Sequence, residues 1–185
     1  NTLNKIDQRY VQQLKSIPGV AQTYGVVIAS GEARFLDGNT AGVTVIGSDA
    51  PQFVIGPNIS RISEGSVTDL NLPEAVSAEF YNAKSWNTDL YLNKPIEING
   101  KSAQVKVITK NAQAFGGNYM YTNMANARFF GNVPAYQISL ISLKLNDTAS
   151  KETIISQINQ LYPNLRAWDV KKLQNSTVKE ILVSS

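Results

Sequence analysis

The sequence predicts an α+β fold, with an α/β layer built from both ends of the chain and a smaller α+β lobe inserted between them. Three observations carry this. The phrase "SIPGVAQTY" near the start returns as "QLYPNLRAW" near the end; each is an amphipathic run, then Pro with Gly or Asn, then an apolar residue opening an extended stretch. Between the two lies "PIEINGKSAQVKV", a hairpin with its own register. At 185 residues the chain suits one domain, or one domain with an insert, and can bury a core without disulfides.

The elements follow in order. Leu3, Ile6, Tyr10 and Leu14 recur at helical spacing, predicting a helix over 3–16 with Thr2 as N-cap. Pro18-Gly19 then turns the chain, since Pro presets φ and Gly tolerates a positive one. A strand is expected from Val20 to about Ser30, a hairpin turn at Asp37-Gly38, and a strand through Val43, Val45 and Ile46. Residues 48–73 carry Pro51, Gly56, Pro57, Gly65 and Pro73 and read as connection. "EAVSAEFYNAKSWN" reads as a short strand leading into a short helix.

Asn99-Gly100 is the favoured pair for a type I′ turn. A two-residue loop there sets Ile98 opposite Lys101 and Ile96 opposite Ala103, so Val105 and Val107 continue one apolar face. Beyond it, "AFGGNYMYTNMANARFFG" predicts a Gly-Gly loop, a strand at Tyr119–Tyr121 and a helix at about 123–130. "YQISLISLKL" predicts a strand over 136–145. Asp147, Thr148 and Ser150 offer N-caps to a helix whose face carries Ile154, Ile155, Ile158 and Leu161; Pro163-Asn164 ends it. A strand over 165–168 and a final helix from about Asp169, carrying Leu173, Ile181 and Leu182, complete the reading. The division drawn from this is 1–73 with 136–185 for the layer and 74–135 for the lobe.

Composition narrows the chemistry. Charged residues are 17% of the chain, below the usual ~25%. The net charge of +3 and the absence of a basic run longer than Lys171-Lys172 give no nucleic-acid footprint. A mild basic bias between residues 84 and 144 reads as a solvated face. There is no Cys and no His, which removes thiol nucleophiles, zinc thiolates and the commonest general base. No apolar stretch reaches the ~18 residues of a membrane span, and there is no signal peptide. The start at Asn1 and the run "VKEILVSS" at the end, which lacks a helix stop, suggest a piece excised from a longer protein.

No motif names a reaction. Gly116-Gly117 lacks the glycine pattern of a phosphate loop. Glu74 with Glu79, and Asp147 with Glu152, read as helix-start acids rather than a glycosidase pair. Ser102 and Ser150 adjoin lysines without an S-x-x-K signature, and no acidic run suits a hard cation. Sequons at Asn58, Asn146 and Asn175 are what an Asn-rich chain yields by chance. Phe115, Tyr119, Tyr121, Phe129 and Phe130 cluster and read mostly as lobe core, with Phe115 beside the double Gly as the one expected at the surface.

Taken in order, "LKSIPGVAQTYGVVIASGEARF", "PIEINGKSAQVKVITKNAQAFGGNYMYTNMANARFF" and "ISLISLKLNDTASKETIISQINQLYPN" resemble the periplasmic core domain of MacB/FtsX-like ABC transporter permeases, most closely DevC-type exporters. The resemblance spans nearly the whole chain. It implies a porter-like layer with an inserted lobe, and a domain set between the first and second membrane helices of a permease, on the periplasmic face of the bacterial inner membrane. It implies a dimeric permease with a second permease copy, a cytoplasmic ATPase, and a periplasmic adaptor (membrane fusion) protein. The domain itself would be non-enzymatic, with no catalytic or metal residues and no cofactor, ATP being used by a separate cytoplasmic subunit or domain. Stiff terminal helices would carry membrane-helix motion into the layer. The lobe would present a partner surface around Phe115, Gly116, Gly117 and Tyr119. Two other readings stand beside this one: a ligand-binding sensor domain of a membrane receptor, expected to show a deep apolar pocket, and a small Ser/Lys hydrolase, expected to set a perturbed lysine beside a serine in a cleft.

Overall fold

The computed structural model describes residues 6–51, 55–112, 118–169 and 179–185. In chain order its elements are β1 (Ile6–Asp7), α1 (Tyr10–Lys15), β2 (Val20–Arg34), β3 (Thr40–Ser48), β4 (Ile62–Glu64), β5 (Ala75–Glu79), α2 (Asn82–Trp86), β6 (Pro95–Ile98), β7 (Lys101–Thr109), β8 (Tyr119–Asn123), α3 (Met124–Gly131), β9 (Gln137–Ile138), β10 (Leu140–Leu145), α4 (Lys151–Leu161), β11 (Arg166–Asp169) and β12 (Glu180–Ser184). Short 3₁₀ turns at Ile59–Arg61 and Val67–Asn71 fill the connection before β5. The fold is α+β, as expected.

Two compact units divide the chain: residues 1–26 with 134–185, here the terminal unit, and residues 27–133, the inserted unit. The sequence reading drew its first boundary between 73 and 74. The contacts draw it between 26 and 27, because the segment 40–64 pairs with later strands of the inserted unit: β3 runs parallel to β8, and β4 antiparallel to β7.

In the terminal unit four strands lie in the order β11-β12-β10-β2, every neighbouring pair antiparallel. Alternation sets one face. Ile141 lies opposite Val183, Leu143 opposite Ile181 and Ala167 opposite Val183, and all five are buried. Both predicted helix–turn–strand units are present. α1 buries Val11 and Leu14, and the turn at Pro18-Gly19 has Gly19 at φ +94. α4 starts at Ser150, whose hydroxyl accepts the N–H of Thr153, and buries Ile154 and Ile158. Tyr10 and Tyr162 meet edge to face, ring centroids 5.6 Å apart.

Two terminal expectations are corrected. The first helix covers only 10–15. Asp7 Oδ1 accepts the N–H of Arg9 at 2.9 Å, an Asx turn that separates Ile6–Asp7 from the helix, and Ile6 pairs with Ile138 in a small antiparallel ribbon. The last helix is replaced, over 180–184, by β12. A run of five with Ile181 and Val183 inward fits period two, and it has β10 and β11 to pair with. Leu173 lies outside the described residues.

The inserted unit is a ring of strands. β8 pairs with β3, β3 with β2, β2 with β6, β6 with β7 and β7 with β5. The ring returns to its start through side chains: Ser77 Oγ on β5 accepts the N–H of Tyr121 on β8 at 2.9 Å, and Thr122 Oγ1 donates to the carbonyl of Ala75 at 2.5 Å. All five residues of β5 are buried, as expected of a strand covered on both faces. The hairpin has the predicted register, Ile98 opposite Lys101 and Ile96 opposite Ala103, with Asn99 at φ +51 and Gly100 at φ +77. Helix α3 lies close against β2 and β3 because Gly47 and Gly131 lack side chains; a Cβ on either would collide, with the Asn123 carbonyl and with Ala29 respectively.

Candidate partner-contact surfaces

Of the residues expected to meet a partner, Phe115, Gly116 and Gly117 lie outside the described residues. Tyr119 is 40% exposed at the start of β8, in register with Thr44. Asn118 fixes that strand start, its Nδ2 donating to the carbonyl of Gly42 at 2.9 Å and its own carbonyl accepting the N–H of Thr44 at 2.8 Å. The other clustered aromatics divide. Phe130 is buried and Tyr121 half-buried, and burial pushes the Tyr121 phenol upward, with a smaller push from Tyr119. Phe129 is exposed, with Lys101 Nζ 5.0 Å above its ring and donating to its carbonyl.

The weighed carboxylates have structural partners. Glu74 precedes strand β5 and Glu79 is its last residue, so neither opens a helix. Glu79 is buried and accepts from Thr109 Oγ1, the N–H of Ala112 and the N–H of Tyr81. The N–H of Glu74, at φ +66, goes to Asn126 Oδ1. Asn126 is the polar node of this unit: its Nδ2 donates to the carbonyls of Leu70, Leu72 and Ala75 and to Thr122 Oγ1, tying α3 to the connection before β5. Ser150 is a helix cap and Ser102 an exposed strand residue. Among the described residues no cluster of three acidic side chains could hold a metal ion.

A surface that sequence reasoning missed gathers around α2 and the 35–39 hairpin tip. Phe80, Tyr81 and Tyr91 are 41%, 57% and 47% exposed. Phe80, Lys84, Thr88, Leu90 and Tyr91 line an open groove of about 670 Å³, which Asp37 and Asp89 also border. Lys110 Nζ sits 4.5 Å from the Phe80 ring centre, a cation–π contact. Beneath lies Lys94, buried, its Nζ 2.6 Å from Thr88 Oγ1, donating to the Asp89 carbonyl, and over the rings of Tyr91 and Phe35 at 5.3 and 5.8 Å. The signal was present in "EFYNAKSWNTDLYLNK", but only the fold brings Phe80, Lys110 and Tyr91 together.

No protein-family model matches the sequence, and no curated protein does. Solved structures do. The periplasmic region of MacB from Actinobacillus actinomycetemcomitans superposes with a TM-score of 0.62 at 11% identity, covering 85% of this chain and 75% of that one. The extracellular domain of the ABC-type transporter YknZ from Gram-positive bacteria gives 0.62 at 15% identity, covering 88% of this chain and 87% of its own. This chain has the fold of the MacB periplasmic region. A domain of a Porphyromonas gingivalis protein classed as a permease gives 0.53 at 12% identity over 95% of this chain and 76% of the other. At such identities the MacB-like likeness is one of fold alone. Among the described residues no helix is long and apolar enough to cross a membrane.

Proposed function

We propose that this chain is the extracytoplasmic domain of an ABC-type exporter permease, on the periplasmic face of the inner membrane, coupling motion of flanking membrane helices to a periplasmic adaptor or to substrate. ATP would be used by a separate cytoplasmic subunit or domain, in a complex holding two permease copies. The observation that carries the reading is the likeness, over 85% or more of the chain, to extracytoplasmic domains of ABC transporters.

The corrected termini sharpen the mechanics. Both terminal strands are hydrogen-bonded to one segment: β1 to Gln137–Ile138, and β12 to Ile141–Lys144. Displacement of either chain end would therefore act on residues 137–145, which follow the inserted unit directly in sequence. In this reading paired strands, not terminal helices, transmit the motion.

The inserted unit is the partner-contact lobe of this proposal, with Tyr119 and the aromatic groove of Phe80, Tyr81 and Tyr91 as its contacts. Exposed aromatics are the residues enriched among interface anchors. The test is expression of the full-length protein with its native flanking sequence. Membrane insertion on both sides of this domain, with co-purification of an ATPase and of an adaptor that is lost on Phe80→Asp with Tyr91→Asp, is the expected result. A secreted, freely soluble product would overturn the transporter reading. Adaptor capture unaffected by the aromatic substitutions would overturn only the assigned surface.

A further inference from the structure

We infer that Asn99 is a self-modification site held shut by the fold: when the hairpin turn leaves its seat, the Asn99 amide converts to a carboxylate, and the turn no longer re-seats. Asn99-Gly100 forms the turn between β6 and β7, at φ +51 and +77. Glycine puts no side chain beside its nitrogen, so in an open chain the Gly100 nitrogen can attack the side-chain carbonyl carbon of Asn99. A carbon–nitrogen bond forms, the bond to the side-chain nitrogen breaks, and ammonia leaves with the Gly100 proton. Water then opens the cyclic imide at either carbonyl, giving aspartate or isoaspartate. Water is the only other reactant, and nothing is oxidised or reduced.

In the folded chain this amide is pinned at both ends. Asn99 Oδ1 accepts the N–H of Glu32 at 3.0 Å. Asn99 Nδ2 donates to the carbonyl of Phe130 at 3.0 Å and to that of Ser30 at 3.4 Å. The backbone N–H of Asn99 donates to the Glu32 carbonyl at 2.9 Å. Gly31 makes the seat, since a Cβ there would stand 3.2 Å from Asn99 Nδ2 and 3.3 Å from Oδ1. Attack at the amide carbon makes it tetrahedral and takes Oδ1 and Nδ2 out of the plane that these bonds hold, so the seated amide resists. The seat also tells an amide from a carboxylate. A carboxylate oxygen in place of Nδ2 meets the Phe130 and Ser30 carbonyls, acceptor against acceptor. It does so at the C-terminal end of α3, where the helix dipole disfavours negative charge. Lys101 Nζ donates to the Phe129 carbonyl, so the turn caps this helix end with two side chains, and a converted Asn99 withdraws one. Isoaspartate adds a backbone carbon as well, which a two-residue turn of fixed register does not hold.

The test follows Asn99 by peptide mapping in mildly alkaline buffer, in the folded chain and in urea above its unfolding midpoint. Conversion is expected to be at least about tenfold faster in urea, because a guarded site reacts only through the fraction of chains that open. In urea Asn99 is expected to convert ahead of Asn132 and Asn146, which no Gly follows. Gly31→Ala, which crowds the seat, is expected to raise the folded-state rate with circular dichroism unchanged. Converted chains diluted out of urea are expected to regain less hydrogen-exchange protection over residues 128–133 than unconverted ones, and Asn99→Asp to show the same loss with a lower urea midpoint. Equal rates in buffer and in urea would overturn the inference. So would an Asn99 that outlasts Asn132 in urea, or converted chains that recover full protection at the end of α3. The comparison of buffer with urea needs no substitution, so it decides the guarding even if Asn99→Asp does not fold.

Discussion

In the terminal unit Leu143 and Ile181 face each other across a continuous antiparallel ladder, and the two helices add both apolar groups and a few polar ties, Thr23 to the Val11 carbonyl, Asn159 to the Ala167 N–H and Lys151 to Asp169. In the inserted unit β5 and β8 meet without a ladder, and Ser77, Thr122 and Asn126 supply the missing bonds from side chains. One region is joined strand to strand by backbone ladders, and the other closes on a few side-chain polar atoms. Apolar burial is non-directional and tolerates small shifts, whereas a buried hydrogen bond that loses one partner leaves the other unpaired at full cost. The terminal sheet therefore depends on its side chains mainly through packing, while the closure of the ring depends on a few named bonds.

The contrast can be broken in order of size. Leu143→Ala should cost about 4 kcal/mol, the usual range for a fully buried Leu, and should lower hydrogen-exchange protection first in β10 and β12. Protection lost equally early in β5 and β8 would mean that the two units do not unfold separately. Asn126→Ala strips the partners from the Glu74 N–H and from several carbonyls, and should cost about 2–3 kcal/mol with the loss concentrated at β5, β8 and residues 70–75. Ser77→Ala leaves the N–H of Tyr121 unpaired. An expected cost of about 1 kcal/mol, read from urea midpoints, measures the closing bond by itself.

The smallest effect tests the terminal sheet electrostatically. Burial raises the Glu180 carboxyl, against weaker lowering by Lys144 and Lys151. The native state then holds its proton to higher pH than the unfolded chain does. The stability this contributes is complete below the ordinary carboxyl value of 4.5 and is lost as pH rises through the raised native value. Glu180→Gln should flatten that part of the stability–pH curve and shift the melting temperature at pH 7 by no more than about 4 °C. Superimposable pH profiles for the two proteins would remove Glu180 from the balance.

How much of this was legible follows from the same contrast. The hairpin could be read to the residue, because Asn99-Gly100 fixes both turn and register locally. Helix α4 and its Ser150 cap were legible for the same reason. The ends of the chain were not. "VKEILVSS" suits a helix or a strand, and only β10 and β11 decide between them. Ile6 fits the face of a helix, but the Asx turn at Asp7 hands it to Ile138. The boundary at 26/27 was hidden because β2 runs unbroken from Val20 to Arg34 while its pairing partners change along the way. Phe80, Tyr91 and Lys110 were visible as residues, but not as one surface.

The sequence by itself determined what local chemistry can determine: turns that need positive φ, caps that need a hydroxyl, the periods of isolated elements, and the absence of thiol and imidazole chemistry. Tertiary structure alone decided the fate of short apolar runs at the termini, the closing of the inserted unit through Ser77, Thr122 and Asn126, and the grouping of exposed aromatics around the hairpin tip. The physical reason is range. A turn or cap is settled within about four residues, whereas a strand exists only when a distant segment offers it donors and acceptors, and a surface exists only when such pairings bring its parts together.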